Sequence, residues 1–152
     1  MPMGRKRILI ADAHPTMMAG VRLLLKDCFD AMHMVADESS LRDAVQKGEF
    51  DLVIVDLSMP ISSGENVSRF LRRVSPEVKL IVLSVHDDPV AASECLAAGA
   101  KGFVLKRAAV NDLVPAVEGV LRGEVYVSPD IQINYDKASP KTGKVRNPRE
   151  RR

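Results

Sequence analysis

The sequence lacks the features that mark secreted, membrane-spanning or metal-cluster proteins. Its 152 residues hold two cysteines, Cys28 and Cys95, in separate helical patterns without a C-x-x-C spacing. A disulfide framework and a thiolate metal site are therefore set aside in favour of buried free thiols. The three histidines, His14, His33 and His86, are scattered with no metal-ligand spacing, which assigns them to surface and turn positions. No apolar stretch approaches the roughly 20 residues of a membrane span. The start Met-Pro-Met-Gly-Arg-Lys-Arg runs into a strand pattern without the apolar region of a signal peptide. A cytoplasmic protein with no membrane contact is expected. No internal repeat is evident, and the methionines, including Met17, Met18 and Met59, read as core filling.

With 46% hydrophobic and 28% charged residues, the chain suits one compact domain with an ordinary core and is too short for two. Five apolar runs, at 8–11, 34–36, 52–55, 80–83 and 103–105, punctuate it, each followed by a stretch with helical features. Met18, Val21, Leu24, Leu25 and Cys28 recur at helical spacing after His14-Pro15-Thr16, and Val67, Phe70, Leu71 and Val74 do so before Ser75-Pro76. Further helices are expected from about Ser39 to Gly48 and from about Pro89 to Gly99, where glycine can take the left-handed conformation of a helix stop. Leu113, Val117, Val120 and Leu121 mark the last helix, closed by Gly123. Pro115 is tolerable there only if that helix begins just before it.

Strands alternating with helices imply an α/β fold, a doubly wound parallel sheet covered on both faces by right-handed crossovers. Five strands suit the flavodoxin-like order 2-1-3-4-5. That order opens a crevice beside the carboxyl ends of strands 1 and 3. The residues at those ends are Asp12 and Asp56, with Ser84 and Lys106 ending the next two strands. Two adjacent acids repel by roughly 1–4 kcal/mol at surface-like dielectric unless a cation intervenes, so the pair invites Mg²⁺, a hard ion that takes carboxylate and carbonyl oxygens. A carboxylate nucleophile assisted by a metal and by the Lys106 ammonium suits phosphoryl transfer. The rotatable Ser84 hydroxyl can turn towards a phosphoryl oxygen newly placed in the crevice.

Residues 132–152 carry seven basic side chains against Asp136 and Glu150, a charge of +5, leaving −3 on the remainder. Pro140, Pro148, Gly143 and Ser139 interrupt this segment, and it has almost no apolar residue after Tyr135. It reads as a basic flexible linker or tail, a solvated tether in preference to a nucleic-acid contact.

Four motifs stand in order: Ile8-Leu9-Ile10-Ala11-Asp12-Ala13-His14-Pro15; Asp56-Leu57-Ser58-Met59-Pro60 with Gly64; Val82-Leu83-Ser84; and Gly99-Ala100-Lys101-Gly102-Phe103-Val104-Leu105-Lys106. Together they resemble the signatures of a response-regulator receiver domain, over about residues 7–130. The resemblance implies Asp56 as phosphoacceptor, Ser84 as switch hydroxyl, Lys106 as phosphate contact and Phe103 at the aromatic switch position. It also implies Mg²⁺ at Asp12, Asp56 and the backbone carbonyl of Ser58. The partner it implies is a histidine kinase, and a homodimer is the expected assembly. Asp12-x-His14-Pro15 and Tyr126-Val127-Ser128-Pro129-Asp130 resemble the subgroup whose receivers precede a LuxR-type helix-turn-helix. Asn147-Pro148-Arg149-Glu150-Arg151 resembles the opening of that domain, cut short.

Two departures from the pattern matter. Ala13 stands where a second acid usually ligates the metal, so Mg²⁺ is expected to bind weakly. Phe103 stands where tyrosine is frequent and has no hydroxyl to offer. The expected organisation is a receiver domain at 1–131 and a linker at 132–152 leading to a DNA-binding domain that the chain lacks, with transcription regulation as its output. It is a phosphoacceptor signalling domain, not an enzyme. The alternative is a phosphorylation-independent pseudo-receiver interaction module that lost metal-assisted chemistry through Ala13. A small phosphohydrolase ranks last, because Ser58 stands where its second acid would be.

Overall fold

Strands that are apolar at every position have no polar side to show to water, so they belong inside a sheet covered on both faces. In the computed structural model, which describes residues 6–131, that is where they lie. The element order is β1 (Arg7–Ala11), α1 (Pro15–Leu25), β2 (Ala31–Val35), α2 (Glu38–Lys47), β3 (Leu52–Asp56), α3 (Val67–Val74), β4 (Leu80–Ser84), α4 (Pro89–Ala97) and β5 (Gly102–Leu105). A 3-10 turn at Lys106–Ala108 leads into α5 (Ala109–Leu121), and β6 (Tyr126–Val127) follows. β3, β4 and β5 are buried at every residue, whereas β2 at the sheet edge alternates in exposure.

Side chains of successive strand residues point to opposite faces, and each face has its own core. On one side Val53, Val55 and Val82 pack with Leu41, Val45, Phe70, Leu71 and Cys95 of α2, α3 and α4. On the other, Leu52, Ile54 and Ile81 pack with Val21 and Leu25 of α1 and Leu113, Val117 and Val120 of α5. Both cysteines are free, and burial pushes the Cys95 thiol up to about 11.

The sheet has six parallel strands in the order β2-β1-β3-β4-β5-β6, not the five expected. The sixth has only two residues, both half-buried, so it leaves no apolar run. Its place comes from hydrogen bonds instead. The Tyr126 amide donates to Lys101 and the Ser128 amide to Phe103, each at 2.9 Å. The Ser128 hydroxyl donates to Asp112 Oδ2 at 2.8 Å and accepts from the Leu105 amide at 3.0 Å, while the Tyr126 hydroxyl donates to Asp112 Oδ1 at 3.2 Å.

The last helix also departs from expectation, because it begins at Ala109 and carries Pro115 in its interior. An interior proline costs about 3 kcal/mol in a helix. Here its ring lies on the exposed side, while Leu113, Ala116, Val117 and Val120 are fully buried against the sheet. Burial of about 1.5–3 kcal/mol per large apolar side chain outweighs the loss. Gly99 follows α4 with a φ of +112°, the left-handed stop expected of it. Gly48 stops α2 differently. Its φ is −92°, and a Cβ there would lie 2.6 Å from the Phe50 ring, so space and not handedness requires glycine.

The basic tail and the helix-turn-helix-like residues 147–151 lie outside the described residues. No helix among the described residues is long and apolar enough to cross a membrane.

Asp112 is a buried carboxylate that closes the sheet edge through two hydroxyls. Replacing it with alanine is expected to cost about 1–3 kcal/mol, since buried hydroxyls lose their acceptor. Urea unfolding of Asp112→Ala measures the loss, and faster amide exchange at Tyr126 and Ser128 than in the parent locates it.

Candidate functional site

β1 and β3 are neighbours in parallel register, Ala11 opposite Val55, so the residues that follow arrive at one level. These are Asp12 and Asp56, each only 1% exposed. Lys106 leaves the end of β5 and reaches across to them. Its Nζ lies 3.2 Å from Asp12 Oδ2 and 3.2 Å from Asp56 Oδ1. One ammonium thus bridges two carboxylates that would otherwise repel each other in a low-dielectric pocket.

Asp56 has further partners. The Ser58 hydroxyl donates to its Oδ2 at 2.8 Å and the Ser58 amide to its Oδ1 at 3.2 Å. Burial pushes the Asp56 carboxyl up, but the two Ser58 hydrogen bonds and the Lys106 charge outweigh burial and hold it below its ordinary value. It is therefore ionised at neutral pH, as a nucleophile must be.

His14 is the residue that spacing arguments missed. It is the N-cap of α1, one position before Pro15, and its backbone amide donates to Asp12 Oδ1 at 2.8 Å. That turn brings the ring over the pocket, with Nδ1 2.8 Å from Asp12 Oδ1 and 3.5 Å from Asp56 Oδ2. His14 is at the surface and in a turn, as expected, and its ring also reaches the two carboxylates, a contact that spacing did not anticipate. The available signal was positional, because Asp-x-His-Pro directly after a strand puts the histidine at a helix start beside the strand-end acid.

The other expected residues are placed as follows. Ser84 ends β4, and its hydroxyl donates to the His86 carbonyl at 2.8 Å and accepts from the His86 amide at 3.1 Å, closing its own loop. Phe103 is fully buried in the core beside Val82 and Leu105, so it already occupies the interior. Ala13 is exposed and its side chain brings no oxygen. Ligand atoms of Asp12, His14 and Asp56 all lie within 4.8 Å of one another. Two buried carboxylates at this spacing fit a hard divalent cation in the donor type they offer.

The sequence profile of the response regulator receiver domain family matches residues 8–118. The chain is 33% identical over 127 residues to the response regulator UvrY of Escherichia coli, covering 82% of this chain and 58% of that protein. It is 32% identical over 133 residues to the transcriptional regulatory protein DegU of Brevibacillus brevis, covering 86% and 56%. The chain therefore spans little more than half the length of these relatives. Among solved structures, RcsB of Salmonella typhimurium superposes with a TM-score of 0.79 at 26% identity, covering 89% of this chain and 69% of that one. A LuxR-family two-component response regulator from an Aurantimonas species gives 0.79 at 26%, covering 88% and 97%.

The bridging ammonium makes a prediction. Lys106→Ala leaves two buried carboxylates facing each other and is expected to cost about 3 kcal/mol, the low end for breaking a buried pair. Adding Asp12→Ala to it should recover most of that loss, since one carboxylate then remains. Urea unfolding of both single variants and the double variant gives the coupling.

Proposed function

The chain belongs to the response regulator receiver domain family, and we propose that it serves a two-component system by accepting a phosphoryl group on Asp56 from a partner histidine kinase. The observation that carries this reading is the ionised, buried Asp56 carboxylate at the end of β3 with Lys106 Nζ at 3.2 Å. In the proposed step an Asp56 carboxylate oxygen attacks the phosphorus of the kinase phosphohistidine. The P–N bond breaks, its electron pair stays on the imidazole, and an acyl phosphate forms. Lys106 holds a developing phosphoryl oxygen by charge. Asp12, Asp56 and the backbone carbonyl of Ser58 are the proposed holders of Mg²⁺, which when bound supplies neutralising charge to the phosphoryl oxygens.

Modification adds roughly one negative charge at Asp56. The Ser84 hydroxyl then leaves His86 for a phosphoryl oxygen, and the β4–α4 loop moves with it. We place the response on the face of α4, β5 and α5, with Phe103 as the packing element beneath, and a homodimer as its outcome. The relatives' names, including a transcriptional regulator, support a transcriptional output through a DNA-binding domain. Cytoplasmic action fits such a system.

A pseudo-receiver module that only docks partners is the second reading. It is favoured by Ala13 and by carboxylates already satisfied from within by Lys106, His14 and Ser58. Intact mass after incubation with acetyl phosphate and Mg²⁺ separates the two. The phosphoacceptor reading expects one phosphoryl adduct in the parent and none in Asp56→Asn. An unmodified parent supports the docking module, and an adduct that survives in Asp56→Asn removes Asp56 as acceptor.

Phe103 is already fully buried, so alanine there would open a cavity costing about 3–5 kcal/mol and confuse stability with signalling. Phe103→Leu keeps most of the volume and is expected to cost less than about 1.5 kcal/mol. It should take up phosphate as the parent does and lose phosphate-dependent dimerisation in sedimentation. Dimerisation equal to the parent's would make Phe103 ordinary core.

A further inference from the structure

The oxygens of the pocket divide into two pairs. Lys106 Nζ holds Asp12 Oδ2 and Asp56 Oδ1. The other two, Asp12 Oδ1 and Asp56 Oδ2, converge on His14 Nδ1 at 2.8 and 3.5 Å. We propose that His14 Nδ1 is a metal ligand in this pocket, standing in for the carboxylate absent at Ala13 and turning the site from an all-oxygen one into an oxygen–oxygen–nitrogen one. Its preferred cation is then a borderline divalent ion such as Co²⁺ or Zn²⁺ in place of Mg²⁺.

Three features of the structure support the assignment. The backbone amide of His14 is tied to Asp12 Oδ1 at 2.8 Å, and the residue is locked between the strand end and Pro15 at the start of α1, so the ring is held over the pocket. The His14 side chain is 63% exposed, whereas both carboxylates are at most 2% exposed. An ion can therefore enter from the imidazole side and keep water on its outer positions. Lys106 stays on the far oxygens, where it orients the ligating carboxylates as outer partners of metal sites do. Two hydrogen bonds must give way: the Ser58 hydroxyl turns from Asp56 Oδ2, and the Nδ1 hydrogen that bridges to Asp12 Oδ1 is replaced by the lone pair.

The chemistry gives the selectivity. Mg²⁺ prefers oxygen ligands and sheds water reluctantly, so an imidazole adds little to its binding. Imidazole suits the later first-row ions, and affinity for mixed nitrogen and oxygen sites rises along that row. The ligating form carries its proton on Nε2 and directs the Nδ1 lone pair to the metal.

This inference rests on the acid pocket of the proposed function but not on phosphate transfer, so its test uses metal alone. Calorimetric titration of the full chain with Co²⁺ and separately with Mg²⁺ compares the parent with His14→Ala, Ala13→Asp and Asp56→Asn. His14→Ala should lose at least roughly tenfold in Co²⁺ affinity, as loss of even an outer partner does, with Mg²⁺ affinity changed less than twofold. Ala13→Asp should raise Mg²⁺ affinity more than Co²⁺ affinity. The visible absorption of bound Co²⁺ should shift between parent and His14→Ala as nitrogen leaves the ligand set. Equal losses of both ions in His14→Ala, no loss of either, or an unchanged Co²⁺ spectrum overturns the role of His14. Co²⁺ and Mg²⁺ affinities unaltered in Asp56→Asn overturn the acid pocket itself, a separate failure.

Discussion

The Lys106 ammonium between Asp12 and Asp56 is the constraint around which the rest of the molecule is organised. Two buried carboxylates at adjacent strand ends are costly, and water cannot solvate them at 1% exposure. One lysine from the end of β5 reaches both at 3.2 Å. The parallel register aligns Ala11, Val55, Val82 and Phe103 in one row across the sheet, and β5 runs two residues further, to Leu105, so that Lys106 follows at the same edge as the two acids. The sheet therefore acts as the jig that brings three distant parts of the chain to one pocket. The apolar strands provide the stability from which such a charged site can be held.

The same lysine stands at a junction. Its neighbour Leu105 donates its amide to the Ser128 hydroxyl, which is held in turn by Asp112 of α5. Its other neighbour, Arg107, reaches Asp87 in the loop after β4 at 3.4 Å and Asp130 beyond β6 at 3.5 Å. Exposed pairs of this length contribute little to stability. They do connect the loop after β4, which carries His86, with the residues that follow β6. Residues 105–107 thus connect the pocket by covalent and hydrogen bonds and ion pairs to residues 128–130.

Much of this was readable from residues because burial imposes patterns. The continuous apolar runs of β3, β4 and β5 come from strands covered on both faces, and the acids that end β1 and β3 are conspicuous because they interrupt such runs. What escaped reading was whatever depends on hydrogen bonds and not on apolar area. β6 has two half-buried residues held by Ser128 and Asp112, polar side chains that no periodicity marks. Pro115 argued for a late helix start, but an exposed ring on a strongly buried helix was tolerated. His14 was discounted for lacking a second histidine at ligand spacing, although its neighbours in space, Asp12 and Asp56, are set by topology and lie 2 and 42 positions away.

Charge balance explains how Ala13 fits such a pocket. Asp12, Asp56 and Lys106 together carry −1, and a third acid at position 13 would make it −2 before any modification. A pocket at −2 needs a further cation to rest comfortably, whereas at −1, with Lys106 already counted, the polar hydrogens of Ser58 and His14 offset much of what remains. Alanine at position 13 thus leaves the resting pocket one negative charge fewer to offset than an aspartate would. Adding a phosphoryl group restores the deficit by roughly one charge. Any cation that a modified pocket recruits must find its ligands among the groups that remain, and the imidazole of His14 reaches both carboxylate oxygens that Lys106 leaves open, at 2.8 and 3.5 Å.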